Sequence, residues 1–186
     1  MTIRPGQPSN LPNFTRYITT HNSAGEAIIH SETPANWISL RNDTLGFSVA
    51  YTTSEFPANL NNEADVTQSE QAVTSGSLGL VNPGGTVCRV VDFAPGKPGI
   101  MHRTRSLDYG IVLEGEIEMM LDSGEKRLLK RGDIAVQRAT MHQWRNPSET
   151  EWTRMMFVLQ ECQPVIAGGK EIGEELKGNN DINRMR

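Results

Sequence analysis

Gly96-Lys97-Pro98-Gly99-Ile100-Met101-His102-Arg103-Thr104-Arg105-Ser106-Leu107-Asp108-Tyr109-Gly110-Ile111-Val112-Leu113-Glu114-Gly115 is the stretch on which the fold turns. Successive strand side chains point to opposite faces, so His102 and Thr104 share a face, and Asp108 returns to the same parity after a small break. Tyr109 has the opposite parity and is expected outside or at an interface. Downstream, Gly132-Asp133-Ile134-Ala135-Val136-Gln137-Arg138-Ala139-Thr140-Met141-His142-Gln143-Trp144-Arg145-Asn146 places His142 at the start of a strand-like run. An antiparallel barrel can set that run opposite the first. Two imidazoles and one carboxylate are then expected to converge in one interior.

Working outward, β-branched residues in period-two alternation recur far more than helical spacing. Strands are predicted over 86–93, 108–113, 116–121, 126–129, 133–137, 142–145 and 152–160, with turn chemistry at Asp122-Ser123-Gly124, Arg131-Gly132-Asp133 and Asn146-Pro147-Ser148. Upstream, 14–20 and 27–31 flank a turn-like segment, and 37–40 and 46–52 are further candidates. Residues 57–77 are polar and without an apolar face, and are expected to form a surface excursion or a lid. Residues 168–177 read as a short C-terminal helix. This spacing predicts an all-β sandwich or closed barrel within one structural domain: an N-terminal extension over 1–85, a core over 86–162 and a strap over 163–186.

The 186 residues are 37% apolar and 22% charged, in keeping with a single globular unit. A net charge of −4 provides no positive field for nucleic acid or an anionic membrane. The first ten residues lack the apolar block of a secretory signal, and Cys88 and Cys162 are too few for a disulfide framework, so a cytoplasmic protein is expected. Spare strands in the N-terminal extension make a homodimer the expected assembly.

The spacing Gly96-x5-His102-x-Thr104-x3-Asp108-x6-Gly115 resembles the first cupin motif, G-x5-H-x-H-x3-E-x6-G, and Gly132 to Asn146 resembles the second. The wording around Leu107 to Gly115 and Val136 to Asn146 is similar to small single-cupin tailoring proteins of fungal secondary metabolism. The resemblance implies a double-stranded β-helix, or jelly-roll barrel, with a divalent metal such as Fe, Zn, Mn or Ni held by three His and one Glu. The matching positions are His102, Thr104, Asp108 and His142. Thr104 stands where the family has an imidazole and is a poor ligand for a first-row metal. Asp108 stands where it has Glu, which withdraws the carboxylate by roughly 1.5 Å.

His102, Asp108 and His142 are therefore the expected catalytic groups and, as a two-His-one-carboxylate set, the expected metal ligands. Thr104, Trp144 and Gln137 are the expected substrate contacts, with Trp144 sharing the parity of His142 and offering a flat apolar wall. The resemblance implies a small-molecule substrate of polyketide-like or aromatic character. The favoured chemistry is a non-redox lyase reaction, decarboxylation or dehydration, either metal-assisted or acid/base. The alternatives are an Fe(II)-dependent oxygenase or oxidoreductase and a non-catalytic ligand-binding barrel.

Overall fold

Apolar side chains on both faces make β5 (Thr86–Phe93) a central strand, since only a strand covered on each side buries Val87, Val90 and Val91 together. A computed structural model describes residues 6–176 of the chain. In it β5 lies between β4 (Leu45–Thr53) and β11 (Thr153–Glu161). The six-stranded sheet runs β3 (Ile38–Leu40), β4, β5, β11, β6 (Ser106–Glu114), β9 (Ile134–Arg138). A second sheet has β7 (Glu116–Leu121) between β10 (His142–Arg145) and β8 (Lys126–Lys130). All the strands predicted from residue 86 to 160 form, with ends displaced by at most a few residues.

The main core joins Phe47, Val91, Val112, Ile117, Trp144, Met155 and Leu159 from both sheets. Full burial of such a side chain contributes about 1.5–3 kcal/mol. The segment before residue 86 is part of this body: β3 and β4 extend the main sheet, and Leu45 and Phe47 reach the interior cavity. β1 (Thr15–His21) and β2 (Ala27–Pro34) form an antiparallel hairpin, whose Asn22 side-chain oxygen accepts bonds from the backbone N–H groups of Ala24 and Glu26.

On the outer face of the main sheet, Asp92 and Arg154 form a buried ion pair, Nε to Oδ1 at 2.6 Å and Nη2 to Oδ2 at 2.8 Å. Arg154 also donates to the Pro12 carbonyl, Ser9 bonds to Asp92, and the Arg154 guanidinium lies 5.0 Å from the Trp37 ring. This cluster ties the chain before β1 to the sheet.

One expectation is refined and one corrected. The segment 57–77, expected as a surface excursion or a lid, carries a helix, α1 (Ala64–Thr74). It buries Val66 and Ser69 and is tied to β4 by polar contacts that hydropathy does not register: Ser69 accepts from the Thr52 N–H, and the Tyr51 hydroxyl donates to Asp65. The helix expected at 168–177 is absent over its described part. Instead β12 (Val165–Ala167) and β13 (Lys170–Ile172) pair around Gly168 and Gly169, both at positive φ (58° and 76°), a tight turn that glycine adopts without steric cost. Lys177 and the first five residues, on which the amino-terminal reading partly rests, lie outside the described residues. Among the described residues no helix is long and apolar enough to cross a membrane.

Candidate active site

Two strand segments meet at an isolated antiparallel bridge between His102 and His142, each backbone N–H donating to the other's carbonyl at 2.9 Å. Residues directly opposite in such a pair project their side chains to one face. The two imidazoles accordingly lie with ring centroids 4.5 Å apart.

Both rings are oriented alike. His102 Nδ1 is 2.9 Å from the Ile100 carbonyl, and His142 Nδ1 is 2.9 Å from the Thr140 carbonyl. A carbonyl only accepts, so each Nδ1 carries the proton and each Nε2 keeps a lone pair. Burial holds the His102 imidazole below its ordinary pKa. The same cause, with the neighbouring His102 adding to it, takes His142 down to about 4. Both rings are neutral bases at neutral pH.

Thr104, Ser106 and Asp108 alternate inward and are all buried. Ser106 donates to the Thr104 hydroxyl at 2.8 Å, and Thr104 makes a long contact of 3.4 Å to Asp108 Oδ2. Oδ1 has no hydrogen-bond partner among the described residues. Burial pushes the Asp108 carboxyl up to about 6, against the opposing effects of Ser106, Thr104 and Arg89.

His102, Asp108 and His142 all line one cavity between the sheets, together with Thr104 and Trp144. The Trp144 ring meets His142 edge-on at 5.7 Å and Phe157 at the same distance, so it forms part of an aromatic wall. Gln137 is buried but is not among the residues lining the cavity. Its amide nitrogen lies 2.9 Å from Met119 Sδ and its oxygen accepts from the Thr140 hydroxyl, which steadies the turn leading into His142. Tyr109 points outward and is 40% exposed.

The cupin motifs imply a divalent metal held by His102, Asp108 and His142. Among the described residues no three His, Cys, Asp or Glu side chains are grouped so as to hold a metal ion. The imidazoles form a pair, while Asp108 turns to Thr104. The expected two-His-one-carboxylate set thus lines one cavity without its three side chains closing on a common point in this arrangement.

Sequence reasoning passed over Arg89, which also lines the cavity and is 2% exposed. Its signal was visible: in Val87-Cys88-Arg89-Val90-Val91-Asp92-Phe93 the arginine shares parity with Val87, Val91 and Phe93. A charge on an otherwise apolar inward face of a central strand marks a special environment.

The two sheets of this β-barrel enclose a cavity in which titratable side chains are gathered among apolar ones, a form that larger barrels use to enclose ligands. Comparison with known proteins gives the family: the cupin domain matches residues 89–159, and the chain belongs to the cupin family. Phomopsin biosynthesis cluster protein D of Diaporthe leptostromiformis is 44% identical over 162 residues, covering 85% of this chain and 84% of that one. Oryzines biosynthesis cluster protein J of Aspergillus oryzae is 41% identical over 169 residues, covering 90% and 93%. The cupin-domain-containing oxidoreductase virC of Hypocrea virens is 40% identical over 159 residues, covering 84% and 80%.

Proposed function

We propose that this cupin is a tailoring enzyme acting on a small aromatic or polyketide-like intermediate by non-redox elimination, with His102 and His142 as proton acceptors and Asp108 as the acid. The observation that carries this reading is the coexistence, in one apolar cavity, of two neutral imidazoles with free Nε2 atoms and a carboxyl held up to about 6. Groups whose environments push their pKa values apart are suited to opposite proton-transfer roles. In a dehydration, an Nε2 removes a proton from carbon, the electron pair forms the double bond, and Asp108 delivers a proton to the departing hydroxyl, releasing water. The Thr104 hydroxyl orients Asp108. Trp144 and Phe157 exclude water and offer a flat surface to an aromatic body.

The names of relatives favour a second reading. Several are called cupin-domain-containing oxidoreductases, which supports a redox reaction on a comparable intermediate.

Deleting the gene in its host and identifying the intermediate that accumulates provides the substrate for a direct test. Incubated with purified protein, a loss of 18 or 44 mass units (water or carbon dioxide, about the molecular masses) supports elimination. A gain of oxygen or a change of two hydrogens, with oxygen consumption, supports the redox reading. Tight binding with no mass change makes the barrel a binding module.

A further inference from the structure

Arg89 is a buried cation with too few partners. Its Nη2 donates to the carbonyls of Gly79 at 2.7 Å and Leu80 at 2.9 Å. Nε and Nη1 have no hydrogen-bond partner among the described residues. Among the described residues no carboxylate pairs with it within salt-bridge distance and Asp108 Oδ1 is also unpartnered; the acid whose charge bears on Arg89 most is Asp108. A buried guanidinium with open donors is costly, and the cost falls when an anion completes it. Burial here takes the Arg89 group down to about 10, which leaves it fully charged at neutral pH.

From this geometry we infer that Arg89 is a substrate-binding residue and that the substrate of the proposed enzyme carries a carboxylate, which Arg89 anchors while the apolar body lies against Phe47 and Trp144. The inference rests on the cavity being the site of the proposed reaction and adds to it the class of molecule, an apolar organic acid. Arg89 lines the same cavity as the two imidazoles, and its Cζ sits 5.8 Å from the Phe47 ring centroid, so cation and aromatic surface are presented together. An arriving carboxylate takes up the open guanidinium donors, and its negative charge raises the Asp108 carboxyl further. Asp108 is then protonated and able to donate from the oxygen that now has no partner.

The test uses trans-cinnamate and benzoate against cinnamamide and benzamide, which keep the ring and remove the charge, measured by titration calorimetry and thermal shift on the full chain. The acids are expected to bind at least about tenfold more tightly than the amides, the scale of one charge-assisted bond. Arg89→Met should abolish that preference, and Arg41→Met, which removes the other arginine lining the cavity, should leave it. Equal binding of acids and amides, binding of neither, or a preference that survives Arg89→Met overturns the inference. The wild-type comparison needs no variant. Should Arg89→Met not fold, a crystal structure with trans-cinnamate decides the anchor, by a carboxylate on Arg89 or elsewhere. Failure here is separable from failure of the enzyme reading. His-dependent turnover without acid preference removes only the carboxylate, whereas acid preference without any mass change removes only the catalysis.

Discussion

The backbones of His102 and His142 exchange two hydrogen bonds of 2.9 Å, and this single bridge brings two imidazoles forty residues apart in the chain to within 4.5 Å, centroid to centroid. Because each ring also binds the carbonyl two residues before it, neither is free to flip its tautomer.

The proximity has a measurable electrostatic consequence. His102 lowers the pKa of His142, so His102→Ala should raise it from about 4 toward its ordinary value, both by removing the neighbour and by opening the site to water. Imidazole resonances followed by NMR across pH check this. An unmoved or lowered His142 pKa contradicts the coupling. In the turnover assay, either His→Ala variant is expected to lose about 10²–10⁴ in rate.

Stability should depend on acid in two opposing ways. His142 has a depressed folded pKa, so its contribution is present above its unfolded value and is lost as pH falls toward about 4, on the order of 3 kcal/mol. Asp108 has a raised folded pKa, so its contribution is present at low pH and is lost as pH rises through about 6. The two partly cancel between those values. Asp108→Asn removes the offset, so denaturant unfolding should show its stability falling more steeply than that of the wild type from pH 6 to pH 4.

With Asp108 held by Thr104 rather than grouped with the imidazoles, turnover is expected to survive exhaustive chelation. Loss of activity on chelation, restored by one divalent ion, would return Asp108 to a ligand role and overturn the acid/base assignment.

The Asp92–Arg154 pair lies on the sheet face away from the cavity and serves the fold. Asp92→Ala leaves a buried guanidinium unpaired and should cost about 3–5 kcal/mol, read by urea unfolding. The double variant Asp92→Ala with Arg154→Met should recover part of that loss, since the stranded charge is gone.

Gly99 approaches β10 so closely that a Cβ there would sit 2.3 Å from the Trp144 carbonyl oxygen, which already accepts the Gly99 N–H at 2.9 Å. Gly99→Ala should therefore push the 96–102 segment away from β10, lowering stability by about 1–3 kcal/mol and loosening the His102–His142 bridge. Thermal unfolding and amide exchange at His102 and His142 report the two effects separately.

Much of the fold was legible because strand alternation is a local property. The strands from Thr86 to Gln160 follow from period two, and the inward parity of His102, Asp108, His142 and Trp144 follows from the same rule. The departures arose where nonlocal contacts override local preference. α1 is held by Ser69 and Asp65 against β4, contacts that no hydrophobic period reveals. Residues 170–172 have polar helix-forming character, yet the Gly168-Gly169 turn folds them back on Val165–Ala167 as a strand.

The amino-acid sequence by itself determined the strand pattern, the cupin spacing and which side chains face inward, since each depends on neighbours a few residues away. Only the tertiary structure decided how those inward groups are shared out: the imidazoles as a pair, Asp108 with Thr104, Gln137 behind the wall and Arg89 buried with open donors. Parity specifies the direction of a side chain but carries no distance. The separation between groups on different strands is set by register across the barrel, through pairings such as His102 with His142, and those belong to the folded chain as a whole.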